Sequence, residues 1–341
     1  MSVHTTPFEA EISLTADQPP ELPEHIKLAP KDLTYISDRL QLIEPTILYN
    51  LIQQYIQSNH DPNTLLIIDV RTSEQYIHDH ILHSIWCGAI GEKSTFTIPY
   101  DIEFETLENL VVIDNSAVTN LDEHSIACKY GIAIAPRLKG KIMIVMGGYE
   151  RFSAEYPFLR TEKVNYTSLE LKSVHQLPSE VIPLLLYIGC QGMMRNVDIN
   201  RDLKIKSHIF AFPKDDYTEQ RGISYLHVNF NDVTDFNTLF NQCFDFIELY
   251  RHRAERTLIA CPLSINESAV LACGYLMKRY RMSLLKAYSQ VKKCLHSIRP
   301  NTSLIRALLE YEKTLFSDVT LYSNAKEVMR LVRLESSPFY L

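Results

Sequence analysis

Residues 257–277 read TLIACPLSINESAVLACGYLM. The apolar run Thr257–Ala260 fits a short strand of the kind buried in a parallel sheet, and an apolar helix follows from Ser268. Between them a tight loop carries Cys261 at its start. Strand, loop and helix N-terminus in that order surround the first loop side chain with free backbone N–H groups, which suits a bound anion. Six positions after the cysteine, just before the apolar helix, stands Glu267, whose negative charge would oppose such an anion.

Length and composition bound the answer. The 341 residues suggest two domains, each large enough for its own core. Hydrophobic residues are 46% and charged residues 22%, ordinary for a globular protein. A net charge of −7 and a pI near 6.0 argue against a general nucleic-acid binder. No apolar run approaches the roughly 20 residues of a membrane span. Seven cysteines are scattered without CxxC pairs, which predicts free thiols in a reducing compartment and neither a metal site nor a cofactor site. The first 26 residues carry Glu9, Glu11, Asp17, Glu21 and Glu24 but no Lys or Arg. They read as neither a secretory signal nor an Arg-rich presequence, so residues 1–38 are expected to be a disordered leader and the protein cytoplasmic.

The rest of the chain predicts an α/β fold in two units. In the first, 39–160, QLIEPTILYNLIQQYI has helical spacing with Glu44 and Pro45 suiting a helix start, and TLLIIDVR and ENLVVIDN read as buried strands. KIMIVMGGYERFSAEYP reads as a strand, a Gly-Gly turn and a short helix. Residues 161–177 lack a clear period and are expected to be a linker. In the second unit, 178–317, SEVIPLLLYIGC, LKIKSHIFAF and ISYLHVNFND read as strands. TLFNQCFDFIELYRHR is an amphipathic helix, and two more helices follow the segment that opens this section. Residues 318–341 form a tail without an assigned structure.

DVRTSEQYIHDHILHSI (69–85) and IMIVMGGYERFSAEYPFL (142–159) resemble the rhodanese pattern. A rhodanese carries sulfur on a cysteine at the end of its middle strand; here VVIDN puts Asp114 there. A carboxylate cannot carry a sulfane sulfur, so no sulfurtransferase activity is expected. Cys128 falls inside a helix and reads as core.

The second unit resembles dual-specificity phosphatases, whose signature is His-Cys, five residues, Arg, then Ser or Thr. The resemblance implies Ala260 at the histidine position, Cys261 as nucleophile, Ser264 at the loop glycine, Glu267 at the arginine, Ser268 as hydroxyl and Asp232 as general acid. The clamp has changed sign. A carboxylate about 4 Å from a phosphate oxygen costs about 4 kcal/mol at an effective dielectric of about 20, where arginine would gain as much. Half of that swing is roughly three powers of ten in rate. The expectation is therefore not an enzyme, with Cys261, Ser264, Glu267, Ser268, Asp232 and Asp114 vestigial. The alternative is a residual cysteine-dependent phosphatase or thiol-redox protein using Cys261.

Together EPTILYNLI, VVIDN, GGYERFS, RDLKIKSHI, SQVKKC and LLEYEKT resemble the serine/threonine/tyrosine-interacting-like family of MAP-kinase-phosphatase-like pseudophosphatases. That resemblance implies a rhodanese-like three-layer α/β domain followed by a dual-specificity-phosphatase-like α/β domain. It further implies a protein-binding regulator of signalling, stress-granule assembly and apoptosis, without cofactors. The partners it implies are a Ras-GAP SH3-binding protein and a mitochondrial dual-specificity phosphatase.

Overall fold

Leu66–Asp69 (β2) and Leu110–Ile113 (β4) are buried at every position, the mark of strands covered on both faces. They lie at the centre of a parallel five-stranded sheet in this computed structural model. It describes residues 39–90, 95–99, 102–115, 125–213, 219–230, 235–263 and 265–316, with 328 and 330. With Leu40–Ile43 (β1), Ser84–Trp86 (β3) and Ile142–Val145 (β5), the strand order is β1-β5-β4-β2-β3. Alternate side chains enter two cores. Ile67, Val111 and Val145 meet Leu48, Ile52 and Phe152, from helices Pro45–Gln57 (α1) and Gly148–Glu155 (α4). Ile68, Val112 and Ile144 meet Ala127, Cys128 and Tyr130 of Ile126–Ile134 (α3) on the other face. Three layers result, as the sequence predicts. A short helix, Ser73–His78 (α2), is closed by a reciprocal capping box between Thr72 and Gln75.

One element differs from the sequence reading. Residues 40–43, inside the helical-looking run, form the edge strand β1, because Glu44 and Pro45 start the helix and cut off what precedes it. Gly147, at φ 75°, makes the turn from β5 into α4.

The second sheet joins Ser179–Ile182 (β6), Leu186–Cys190 (β7), Ile205–Phe210 (β8), Ser224–His227 (β9) and Arg256–Cys261 (β10) in the order β6-β7-β10-β8-β9. All neighbours are parallel except the β6–β7 hairpin. Helices Phe236–Arg251 (α7), Glu267–Tyr280 (α8), Leu284–Cys294 (α9) and Thr302–Leu315 (α10) cover one face through Phe240, Phe244, Leu271, Leu284 and Ile305. Helices Gln191–Arg195 (α5) and Val197–Asp202 (α6) lie on the other, where Met194 and Ile199 join a core that also holds Tyr49 and Ile52 of the first domain. That core is continuous across both domains.

The expected linker is not featureless: Thr161 at its start pairs with His80 of the first domain, and it holds a helix, Ser168–Ser173. The expected leader lies outside the described residues, as does most of the tail. Val328, within that tail, is fully buried in the helical core of the second domain. Among the described residues no helix is long and apolar enough to cross a membrane.

Candidate active site

Strand β10 brings Thr257 to Cys261 into the sheet fully buried, so the thiol stands at a rigid strand end with 1% exposure. Its Sγ lies 3.2 Å from the Oγ of Ser268, the second residue of α8. The sulfur therefore sits beside the free N–H end of a 14-residue helix, where the dipole favours an anion. The loop between is tied down at its far end by the Arg299 N–H donating to Ile265 O at 2.9 Å. Pro262 and Leu263 are exposed at its rim.

Each predicted site residue has a place or a stated gap. Cys261 and Ser268 meet, and Glu267 precedes Ser268 at the helix start. Ser264 and Asp232 lie outside the described residues. Ala260, at the histidine position, turns its methyl into the shared core while its carbonyl accepts from the Ala211 N–H at 3.0 Å. A methyl offers no hydrogen bond to orient the loop. Glu267 is the first residue of α8, partly exposed, with no cation paired to it among the described residues. Its carboxylate suits a helix start for the same electrostatic reason that a phosphate would.

Asp114 occupies the corresponding place in the first domain. It is 3% exposed, and its Oδ2 accepts from Ser125 Oγ at 2.9 Å and from the Ala127 N–H at 3.2 Å, at the start of α3. The carboxylate is thus held by a hydroxyl and a backbone N–H at the start of α3, and the loop that follows it lies outside the described residues. Cys128 is buried within α3, as expected.

Two features escaped the sequence reading. Cys190 ends β7 directly in register with Cys261 on β10, so two thiols lie side by side at the strand ends. The second is the seam between the domains. Asn50 of α1 donates from Nδ2 to Glu180 O and accepts from the Glu180 N–H, both at 2.8 Å. The Tyr49 hydroxyl donates to Pro178 O at 2.7 Å, and Gln54 donates to Lys293 O at 3.0 Å. The Glu180 carboxylate is itself fully buried, accepting from the hydroxyls of Tyr156 and Tyr187 and from the Leu184 N–H at 2.6 Å. Burial raises its pKa against those donors. The one readable signal was an acid inside the strand-like run SEVI.

Residues 186–314 match the dual-specificity phosphatase catalytic domain family, and residues 52–155 match the rhodanese-like domain family. Human dual specificity protein phosphatase 16 is 26% identical over 297 residues, covering 80% of this chain and 44% of that protein. Tyrosine-protein phosphatase vhp-1 of Caenorhabditis elegans is 24% identical over 309 residues, covering 77% and 46%. The chain thus spans about half the length of the curated relatives it matches. Among solved structures, the human tyrosine phosphatase-like serine/threonine/tyrosine-interacting protein is 20% identical, covering 41% of this chain and 98% of its own, with a TM-score of 0.36.

These relatives correct one expectation. The reading that the chain is not an enzyme, drawn from Glu267 and Asp114 together with Ala260 and Ser264 at the histidine and glycine positions, is overturned by matches to proteins named as phosphatases. The physical reason is that one clamp residue does not decide the site. The thiol, its hydroxyl partner and the helix end stand together as an acid-bearing version of it. The chain carries a rhodanese-like domain followed by a dual-specificity-phosphatase-family domain.

Proposed function

We propose that the protein regulates phosphorylation-dependent signalling by binding partner proteins through its two joined domains, with slow hydrolysis running through Cys261. The observation that carries this reading is the Cys261–Ser268 contact at the start of α8, a nucleophile and hydroxyl held at an anion-binding helix end. Glu267 opposes phosphate entry by charge and slows turnover, so partner binding rests on the protein surfaces and not on capture of a phosphate. From the sequence resemblance to the serine/threonine/tyrosine-interacting-like family, a stress-granule Ras-GAP SH3-binding protein and a mitochondrial dual-specificity phosphatase are proposed partners.

The test is hydrolysis of an aryl phosphate by the full chain, beside Cys261→Ser, Glu267→Arg and the triple variant Ala260→His/Ser264→Gly/Glu267→Arg. The native rate should be low, fall to background in Cys261→Ser, and rise by about two powers of ten or more in the triple variant as clamp repulsion turns to attraction. Hydrolysis that survives Cys261→Ser would place the chemistry elsewhere and sink the assignment of the pocket.

A further inference from the structure

Helix α1 ends in an unusual way. Asn59 and His60 both take left-handed backbone conformations, at φ 61° and 60°, and the His60 N–H donates back to Tyr55 O at 3.0 Å. His83, in the turn before β3, is also left-handed at φ 70°. Glycine would serve all three positions without strain, yet two hold histidine. These backbones bring the two imidazoles together with ring centres 5.3 Å apart, and the buried Tyr55 ring packs edge-on against both at 5.2 Å. The Nε2 atoms of His60 and His83 are both buried without a hydrogen-bond partner. Two ring nitrogens in one small cluster are thus left without a protein partner.

We propose that His60 and His83 form a two-histidine site for a late first-row divalent cation of the zinc or nickel class. Imidazole is a preferred ligand of these ions. A metal about 2.0–2.1 Å from each nitrogen, at a tetrahedral angle, sets two ligating rings about 5 Å apart centre to centre, close to the separation found. Burial lowers both imidazole pKa values, that of His83 to about 4, so each ring is neutral at neutral pH. No group of three or more His, Cys, Asp or Glu side chains is gathered for a metal among the described residues, so the remaining positions fall to water or an external ligand, admitted by rotation of the two partly exposed rings. The cluster lies in the rhodanese-like domain, apart from Cys261 and from Asp114.

The test is a titration of the full chain with cobalt(II), read by its visible absorption and by equilibrium dialysis, with His60→Asn, His83→Asn and, as control, His78→Asn. Asparagine tolerates the left-handed backbone, so the fold is kept while the imidazole is lost. His78 is exposed and outside the cluster. Uptake should saturate at one equivalent without a sulfur-to-cobalt charge-transfer band. Either cluster variant should weaken it by more than the roughly tenfold that an outer-shell change alone costs a metal site, and the control should not. Uptake that survives both cluster substitutions, a sulfur band, or no saturable uptake at millimolar cobalt would each overturn the proposal.

Discussion

Replacing Asn50 by alanine should uncouple the two domains. Asn50 is 4% exposed and its amide satisfies both the N–H and the carbonyl of Glu180, each at 2.8 Å. Glu180 lies on β6, the edge strand of the second sheet, so no further strand can take over these bonds. Truncation leaves one buried donor and one buried acceptor unpaired, at about 1–3 kcal/mol each, or about 2–6 kcal/mol in all. With a urea slope of about 3 kcal/mol per molar, a loss in the middle of that range lowers the midpoint by about 1 M or somewhat more. The protein provides its own probe. Its single tryptophan, Trp86, lies on β3 and donates from Nε1 to Arg71 O at 2.8 Å, so its fluorescence reports the first domain alone. Far-UV circular dichroism reports both. In the native chain the two signals should fall together in urea; in Asn50→Ala the tryptophan transition should separate from the dichroism. Coincident curves with an unchanged midpoint would refute the claim that this seam holds the domains as one body.

Two further outcomes follow from buried carboxylates. Burial raises the pKa of Glu180, so the folded protein holds a proton that the unfolded chain releases. That contribution is complete below the unfolded carboxylate pKa and is lost as pH rises through the raised one. Urea midpoints taken from about pH 5 to about pH 8 should therefore decline less in Glu180→Gln than in the native chain, and an equal decline in both would contradict the assignment. Asp114→Ala removes two hydrogen bonds from the start of α3 and should cost about 1–3 kcal/mol by thermal melting, whereas Asp114→Asn, which keeps an acceptor, should cost less; equal losses would mean that the oxygen contacts are not what matters.

How much of this was legible in the sequence depended on how local the cause was. The strand-loop-helix at Cys261 and the run ending at Asp114 follow from apolar periodicity and nearest neighbours, and both stand where that pattern places them. Strand β1 was hidden because Leu42 and Ile43 fit a helical stripe as well as a strand. Only its pairing with Ile144 and Val145, some hundred residues on, decides between them. The seam was hidden for the same reason: Asn50 and Gln54 look like polar positions on an amphipathic helix until a second domain covers them. The paired histidines depend on two left-handed turns that residue type alone does not announce. The weight given to Glu267 was an error of another kind, since a single charge was allowed to speak for a whole site.

The two carboxylates at the anion cradles are not equivalent, and the difference decides what each domain can still do. Asp114 is buried and fixed by a hydroxyl and a backbone N–H, so it acts as a resident anion that no incoming group can displace without leaving those donors unpaired. Glu267 is partly exposed, stands at the first turn of its helix, and has no described partner to hold it. A side chain so placed can swing outward at the cost of a rotamer change, a few tenths to about 1 kcal/mol of helix-dipole energy, far less than the repulsion it relieves. Swung outward it takes its negative charge away from the helix end beside Cys261 and supplies no clamp. The Asp114 carboxylate is therefore fixed by its hydrogen bonds, whereas that of Glu267 is not held by any group among the described residues.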